Sequence, residues 1–211
     1  LGYGGNVLLR DLSFELRPGQ VMGISGKSGC GKTSLLRAIL GFTPLLSGRV
    51  EVCGCSLSAE GIDALRRHVA YLPQDLHLSA ASVTELFDAT LSLRHNMSCR
   101  REMLRRAYGF CEALGLERSM LDTVEAAKLS GGQRGRVLLS AALATTAPLL
   151  LLDEPASALD MQNAQAAAAL ITKVCADEGR AALVVSHNVT FDNTLYMGTP
   201  QTPQTSQTPQ T

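Results

Sequence analysis

Apolar residues in this chain gather in short runs that lack polar alternation. Val21, Met22, Gly23 and Ile24 form one; Leu149, Leu150, Leu151 and Leu152 form a second; residues 181–185 form a third. Short runs of this kind suit strands buried on both faces, as in a parallel sheet. Each run ends in polar, chemically capable residues: a Gly-rich turn after Ser25, the pair Asp153 and Glu154, and Ser186 with His187. Open α/β sheets carry their ligands at the carboxyl ends of strands. The middle of the chain has another period. Ser82, Val83, Thr84 and Glu85 read as a capping box opening a helix. Met103, Ala107, Phe110 and Leu114 recur at spacings of three and four and predict one apolar helix face. Residues from about 76 to 138 show no strand pattern, so they are expected to form a helical lobe inserted into a core of about 1–75 and 139–198. Residues 199–211, TPQTPQTSQTPQT, carry no charge and no apolar side chain except proline. That segment cannot offset its ordering entropy by burial and is expected to be a disordered tail.

Composition narrows the classes. A chain of 211 residues suits one compact unit, and 45% hydrophobic residues suffice for a core. Nineteen basic against 19 acidic side chains leave no net charge, which argues against a nucleic-acid or anionic-membrane binder. Aromatic content of 4%, with no Trp, argues against a stacking platform for bases. The most apolar stretch, residues 137–152, is interrupted by Ser140, Thr145, Thr146 and Pro148 and falls short of a membrane span. The opening residues Leu1 to Gly5 lack the pattern of a signal peptide. Of the cysteines 30, 53, 55, 99, 111 and 175, only Cys53 and Cys55 lie close together, so reduced thiols of a cytosolic protein are expected rather than a zinc site or disulfide framework.

The chemistry sits at the run ends. Residues 26–33 fit G-x-x-x-x-G-K-[ST] between an apolar run and a helical segment. Its backbone around Gly26, Ser28, Gly29, Cys30 and Gly31, with the helix start at Lys32, Thr33 and Ser34, is the expected nucleotide site. Glycines turn successive N–H groups toward an anion, and the helix start adds roughly half a positive charge. Lys32 would reach the β- and γ-phosphates and Thr33 would ligate Mg²⁺. The loop alone does not separate kinases, GTPases, helicases and transport ATPases. Asp153 is expected to hold Mg²⁺ and Glu154 to orient or deprotonate the attacking water; the alternative is that both cap the turn begun by Pro155. Leu129, Ser130, Gly131, Gly132 and Gln133 supply a second anion-binding helix start, with Ser130 as N-cap. A monomer hydrolysing one nucleotide needs only one. Cys30 lies inside the phosphate loop at a helix start, and its alkylation is expected to inhibit, with ATP protecting. Arg94, Arg100, Arg101, Arg105 and Arg106 read as a solvated helix face.

From Tyr3 to His187 the chain resembles the ATP-binding cassette family, the nucleotide-binding subunits of ABC transporters. The resemblance rests on the phosphate loop, a glutamine loop at Tyr71, Leu72, Pro73 and Gln74, the signature at 129–133, the acidic strand end, the loop Ser157, Ala158, Leu159 and Asp160, and the switch histidine His187. It implies a P-loop NTPase core with a mostly parallel sheet, an N-terminal antiparallel β portion and an inserted α-helical subdomain. It implies two subunits holding two ATP molecules between the phosphate loop of one and Ser130, Gly131, Gly132 and Gln133 of the other. Gln74 would touch Mg²⁺ or the attacking water, His187 the γ-phosphate, Asp160 the dimer interface, and Tyr3 the adenine. The implied function is ATP hydrolysis coupled to transport by a separate membrane permease, with the subunit peripheral on the cytoplasmic face of the inner or plasma membrane. The alternatives are a soluble relative acting in iron–sulfur assembly, translation or repair, and a scaffold that binds ATP without turnover, against which Glu154 argues. The chain departs from the family at Gly135, where a glutamine or similar residue is usual, at a first strand expected to be incomplete, and at abbreviated closing strands after His187.

Overall fold

The computed structural model describes residues 1–3, 6–7, 9–74, 80–91 and 99–198. Five parallel strands form the central sheet in the order β6-β7-β8-β3-β9. They are β3 (Val21–Gly26), β6 (Val69–Leu72), β7 (Leu149–Asp153), β8 (Ala181–Val185) and β9 (Asn193–Met197). The three apolar runs are the three central strands, β7, β8 and β3. They bury both faces because helices cover both sides.

The pleat sends alternate side chains to opposite layers. Leu150 and Leu152 of β7 join a cluster with Val137 and Leu139 of α6 (Gly131–Ala144) and Ile171 and Val174 of α7 (Met161–Glu178). Leu151, from the same strand, joins Ile24, Leu183 and Val185 against Leu35, Leu36 and Ile39 of α1 (Lys32–Ile39). All three leucines have no exposed surface, and burial of each contributes about 1.5–3 kcal/mol. On the first face, α3 (Val83–Leu91), α4 (Arg100–Ala113) and α5 (Arg118–Thr123) extend the core outward through Phe87, Met103 and Leu121. On the second, α2 (Ile62–Arg67) adds Leu65. A 3-10 turn at Ala126–Lys128 and two small antiparallel pairs complete the described elements: β1 (Gly2–Tyr3) with β2 (Asn6–Val7), and β4 (Glu51–Val52) with β5 (Cys55–Ser56).

Local readings of the sequence need adjustment in places. The Ser82 hydroxyl accepts from Glu85 N–H at 3.2 Å, but the Glu85 carboxylate accepts from Ala81 N–H rather than from Ser82. On α4 the fully buried stripe runs through Met103, Ala107, Tyr108 and Cys111, with Leu114 just past the helix end. Phe110 is half-buried, with the Arg106 guanidinium over its ring at 5.7 Å. The stripe follows i+4 from Ala107 to Cys111, so Phe110 falls on its margin. Leu195, Tyr196 and Met197 belong to a full strand that closes the sheet beside β3. No described helix is long and apolar enough to cross a membrane, and no described group of three or more His, Cys, Asp or Glu gathers as a metal cluster. All six cysteines are free thiols.

Candidate active site at the carboxyl edge of the sheet

Strand register brings distant residues to one edge. Ile24 is level with Val185, Val185 with Asp153, and Leu72 with Leu152. The segments after β3, β6, β7 and β8 therefore leave the sheet side by side, carrying the phosphate loop, Gln74, Glu154 and His187.

The loop after β3 turns sharply. Gly29 and Gly31 adopt positive φ, 77° and 98°, the latter as the N-cap of α1 with no side-chain cap. The first N–H groups of α1 thus lack a side-chain partner, the condition for holding an anion. Position 26 has no room for a side chain: a Cβ there would lie 2.5 Å from the Met197 carbonyl oxygen and 2.8 Å from Cys30 Sγ. Cys30 is half-buried, its thiol lying against Gly26. Lys32 is buried at 6% exposure, and its Nζ donates to the carbonyls of Gly26 at 2.8 Å and Lys27 at 3.1 Å. The loop's own carbonyls thus hold the ammonium at its base. Ser28 is exposed, while Thr33 and Ser34 are half-buried in the first turn of α1.

Asp153 ends β7 with 1% of its surface exposed, and neither carboxylate oxygen has a hydrogen-bond partner. Burial pushes its pKa up and Glu154 adds to the rise, while the Thr33 side chain, Lys32 and Arg37 pull it back in part. A buried, unpartnered carboxylate beside a hydroxyl and an ammonium fits a divalent cation with oxygen ligands.

Glu154 follows in a left-handed conformation, φ 52°, with its N–H donating to the Val185 carbonyl at 3.0 Å. Its side chain meets two of the residues singled out in the sequence. Gln74 Nε2 donates to Oε2 at 3.5 Å, and His187 Nε2 lies 3.4 Å from Oε1. Two residues from two separate loops thus converge on one carboxylate. Glu154 does not spend its side chain capping the turn; its backbone carbonyl does that, accepting from Ser157 N–H at 3.1 Å.

Ser130 caps α6 as its sequence predicts. Its hydroxyl accepts from Gln133 N–H at 3.2 Å, and Gln133 Oε1 accepts from Ser130 N–H at 2.9 Å. Asp160 caps α7, accepting from Asn163 N–H at 2.9 Å and from Asn163 Nδ2 at 2.7 Å, and these bonds hold its carboxyl below its ordinary pKa. Gly131 and Gly132 lie against Ala158 of the loop before α7. A cavity of about 270 Å³ runs between these elements, lined among others by Gln74, Glu154, Gly131, Gly135 and Leu159. No residue of 26–34 lines it. Within one chain, the signature helix start thus adjoins Glu154 and not the phosphate loop.

Three expectations lie outside the described residues: the side chain of Tyr3, whose backbone is in β1, Arg94, and the tail of residues 199–211. Of the four other arginines grouped with Arg94, three are paired and Arg101 is exposed. Arg100 pairs with Asp88, Arg105 with Glu102 and Arg106 with Glu178. Two polar residues near the second helix start were not singled out from sequence, Arg136 and Asn163. The spacing of Asp160 and Asn163, a cap and its third helical residue, was the available signal.

A family model described as ABC transporter matches residues 9–157. The taurine import ATP-binding protein TauB of Shigella dysenteriae is 33% identical over 197 residues, 93% of this chain and 73% of that protein. ABC transporter B family member 1 of Arabidopsis thaliana is 30% identical over 188 residues, which are 87% of this chain but 14% of the plant protein. Among solved structures, an ATP-binding subunit of an ABC transporter superposes with TM-score 0.75 at 25% identity, covering 88% of this chain and 75% of that one. A dimeric bacterial ABC transporter cassette has the same fold, with TM-score 0.76 at 24% identity, covering 92% and 89%.

Proposed function

The chain belongs to the ABC transporter family as a nucleotide-binding subunit, and on that premise we propose that it hydrolyses ATP to drive a separate membrane permease. The convergence of Gln74 and His187 on Glu154, beside the buried Asp153, is the observation that carries the reading.

The phosphate groups of ATP settle on the N–H groups around Gly26, Ser28, Gly29, Cys30 and Gly31 and at the start of α1, where Ser34 completes the first turn. Lys32 exchanges the carbonyls of Gly26 and Lys27 for phosphate oxygens. This substitution costs little, because the ammonium is already desolvated and positioned. Thr33, Gln74 and Asp153 are the residues that fit Mg²⁺, which supplies charge neutralisation on the phosphates when bound. Glu154 accepts a proton from the attacking water as its oxygen bonds to the γ-phosphorus and the bond to the bridging oxygen of ADP breaks. Gln74 and His187 hold that carboxylate in place. His187 also faces the γ-phosphate.

Ser130, Gly131, Gly132, Gln133 and Asp160 form a second surface that this chain's own nucleotide does not use. That surface is assigned to the ATP held by a second subunit, identical or related, so that closure of the dimer completes two sites. Tyr3 is assigned to the adenine. The permease is a different chain, and the subunit sits at its cytoplasmic face.

Phosphate release tests the reading. Wild type should turn over ATP with magnesium, and Glu154→Gln should lower the rate by about 10²–10³-fold while leaving ATP binding intact. A wild-type rate as slow as that of the variant would overturn it.

A further inference from the structure

Resting on that reading and deepening it, we propose that Arg136 is a positioning residue that fixes the starts of α6 and α7 as one unit. Gly131, Gly132 and Asp160 would then meet a partner subunit's nucleotide together.

Arg136 leaves α6 nearly two turns past the cap. Its Nε donates to the Gly132 carbonyl at 3.3 Å, and Nη1 donates to the Leu114 carbonyl at 2.9 Å and to Asn163 Oδ1 at 3.5 Å. Asn163 relays the contact, donating from Nδ2 to Asp160 Oδ2 at 2.7 Å while its N–H donates to Oδ1 at 2.9 Å. The order guanidinium, amide, carboxylate leaves only one useful orientation of the amide: oxygen toward Arg136, nitrogen toward Asp160. The Leu114 carbonyl belongs to the C-cap of α4 and has no continuing helix to receive it. Arg136 therefore joins the ends of three helices.

Packing on the same seam agrees. A Cβ at Gly132 would lie 3.1 Å from the Ala158 carbonyl oxygen and 3.4 Å from Leu159 Cδ2, and one at Gly131 would lie 3.6 Å from Ala158 Cβ. The two glycines bring α6 against the loop, and the guanidinium fork holds it there. A lysine offers one charge point and no planar fork, so it reproduces only part of the arrangement. Among the described residues, the acceptors of this side chain are Leu114, Gly132 and Asn163, none of them in the phosphate loop. Losing the clamp should spare binding of ATP by the chain's own loop and weaken closure on the partner's ATP.

The experiment uses the full chain with Arg136→Met, Arg136→Lys, Asn163→Ala and the Met/Ala double variant, each also in the Glu154→Gln background. Fluorescent-ATP titration reads binding by the monomer, light scattering reads ATP-driven dimers, and steady-state rates separate KM from kcat. Monomer affinity should be unchanged. The ATP concentration that half-dimerises the Arg136→Met protein should rise about tenfold. The double variant should be no worse than Arg136→Met alone, and Arg136→Lys should recover part of the loss. If Arg136→Met fails to fold, Asn163→Ala alone decides. Variants that dimerise and turn over like wild type would overturn the proposal, as would a loss of monomer binding in equal proportion. A wild type that neither binds nor hydrolyses ATP would instead overturn the ATPase reading.

Discussion

Asp153 is a charge the fold buries without a hydrogen-bond partner, and that arrangement has a measurable sign. Its folded pKa lies above the ordinary aspartate value because burial penalises the carboxylate. A raised folded pKa gives stability that is fully present below the unfolded pKa and lost as pH rises through the folded value. Without metal and nucleotide, the protein should therefore grow less stable on going from acid toward neutral pH at this site. Asp153→Asn should stabilise the metal-free protein at neutral pH by about 1–3 kcal/mol, with the gain vanishing toward pH 4. Thermal melts in EDTA across that range measure it, and a gain independent of pH would show that charge is not the cause. The same variant should lose magnesium-dependent turnover. Residue identities at the site were legible in sequence because a Leu run that stops at two carboxylates has few structural explanations. The missing hydrogen bonds of Asp153 and the convergence of Gln74 and His187 on Glu154 were not. Both depend on which strands are neighbours, and residue type at a single position carries no such information.

At the scale of elements, α6 joins a strong start to a weak second turn. Its capping box satisfies backbone groups at both Ser130 and Gln133, yet Gly135 follows within the helix, where glycine costs about 1 kcal/mol relative to alanine. A Cβ at 135 would find only the Pro155 carbonyl oxygen, at 3.9 Å, so the position has room. Gly135→Ala should raise unfolding stability by roughly 0.5–1 kcal/mol in urea titration. An unchanged or lower stability would mean that the cavity beside Glu154 does not tolerate the methyl group. Elements with strong periodic signals were legible. Strands β3, β7 and β8 announced themselves because both faces are buried. Strand β6 did not, since Val69 and Tyr71 are half-exposed on an edge strand only four residues long. The pairs β4–β5 and β1–β2, two residues to a strand, are too short for any period to register.

Across the molecule, one buried arginine ties the helical layer to the sheet. Arg180, 4% exposed at the start of β8, donates to the carbonyls of Ala147 at 2.8 Å and Leu143 at 2.7 Å, and to Thr145 Oγ1 at 3.2 Å. Glu178 at the end of α7 faces both Arg180 and Arg106 of α4, the latter at 2.6 Å. The end of α6, the end of α7 and the middle of α4 thus meet around one carboxylate. Removing a partner from a fully buried pair costs roughly 3–5 kcal/mol; Glu178 is partly exposed, so Glu178→Ala should cost on the order of 2 kcal/mol. Denaturant unfolding checks this, and a cost near zero would show that the carbonyls alone satisfy Arg180. The α/β class and an antiparallel portion near the N-terminus were readable from the resemblance, and the structure agrees with both. The sheet order β6-β7-β8-β3-β9 was not written in any one segment. It arises from which helices cover which face, and that is settled only when all strands are present.

The left-handed backbone at Glu154 bears on how such a sequence changes over generations. Glycine at that position would relieve backbone strain of about 1 kcal/mol or more. Glutamate and glycine codons differ by a single base, so mutation supplies the exchange steadily and folding rewards it. Only the demand for turnover opposes it. In a lineage released from that demand, position 154 is where decay of the enzyme would be written early, in a protein that had become sturdier as it fell silent.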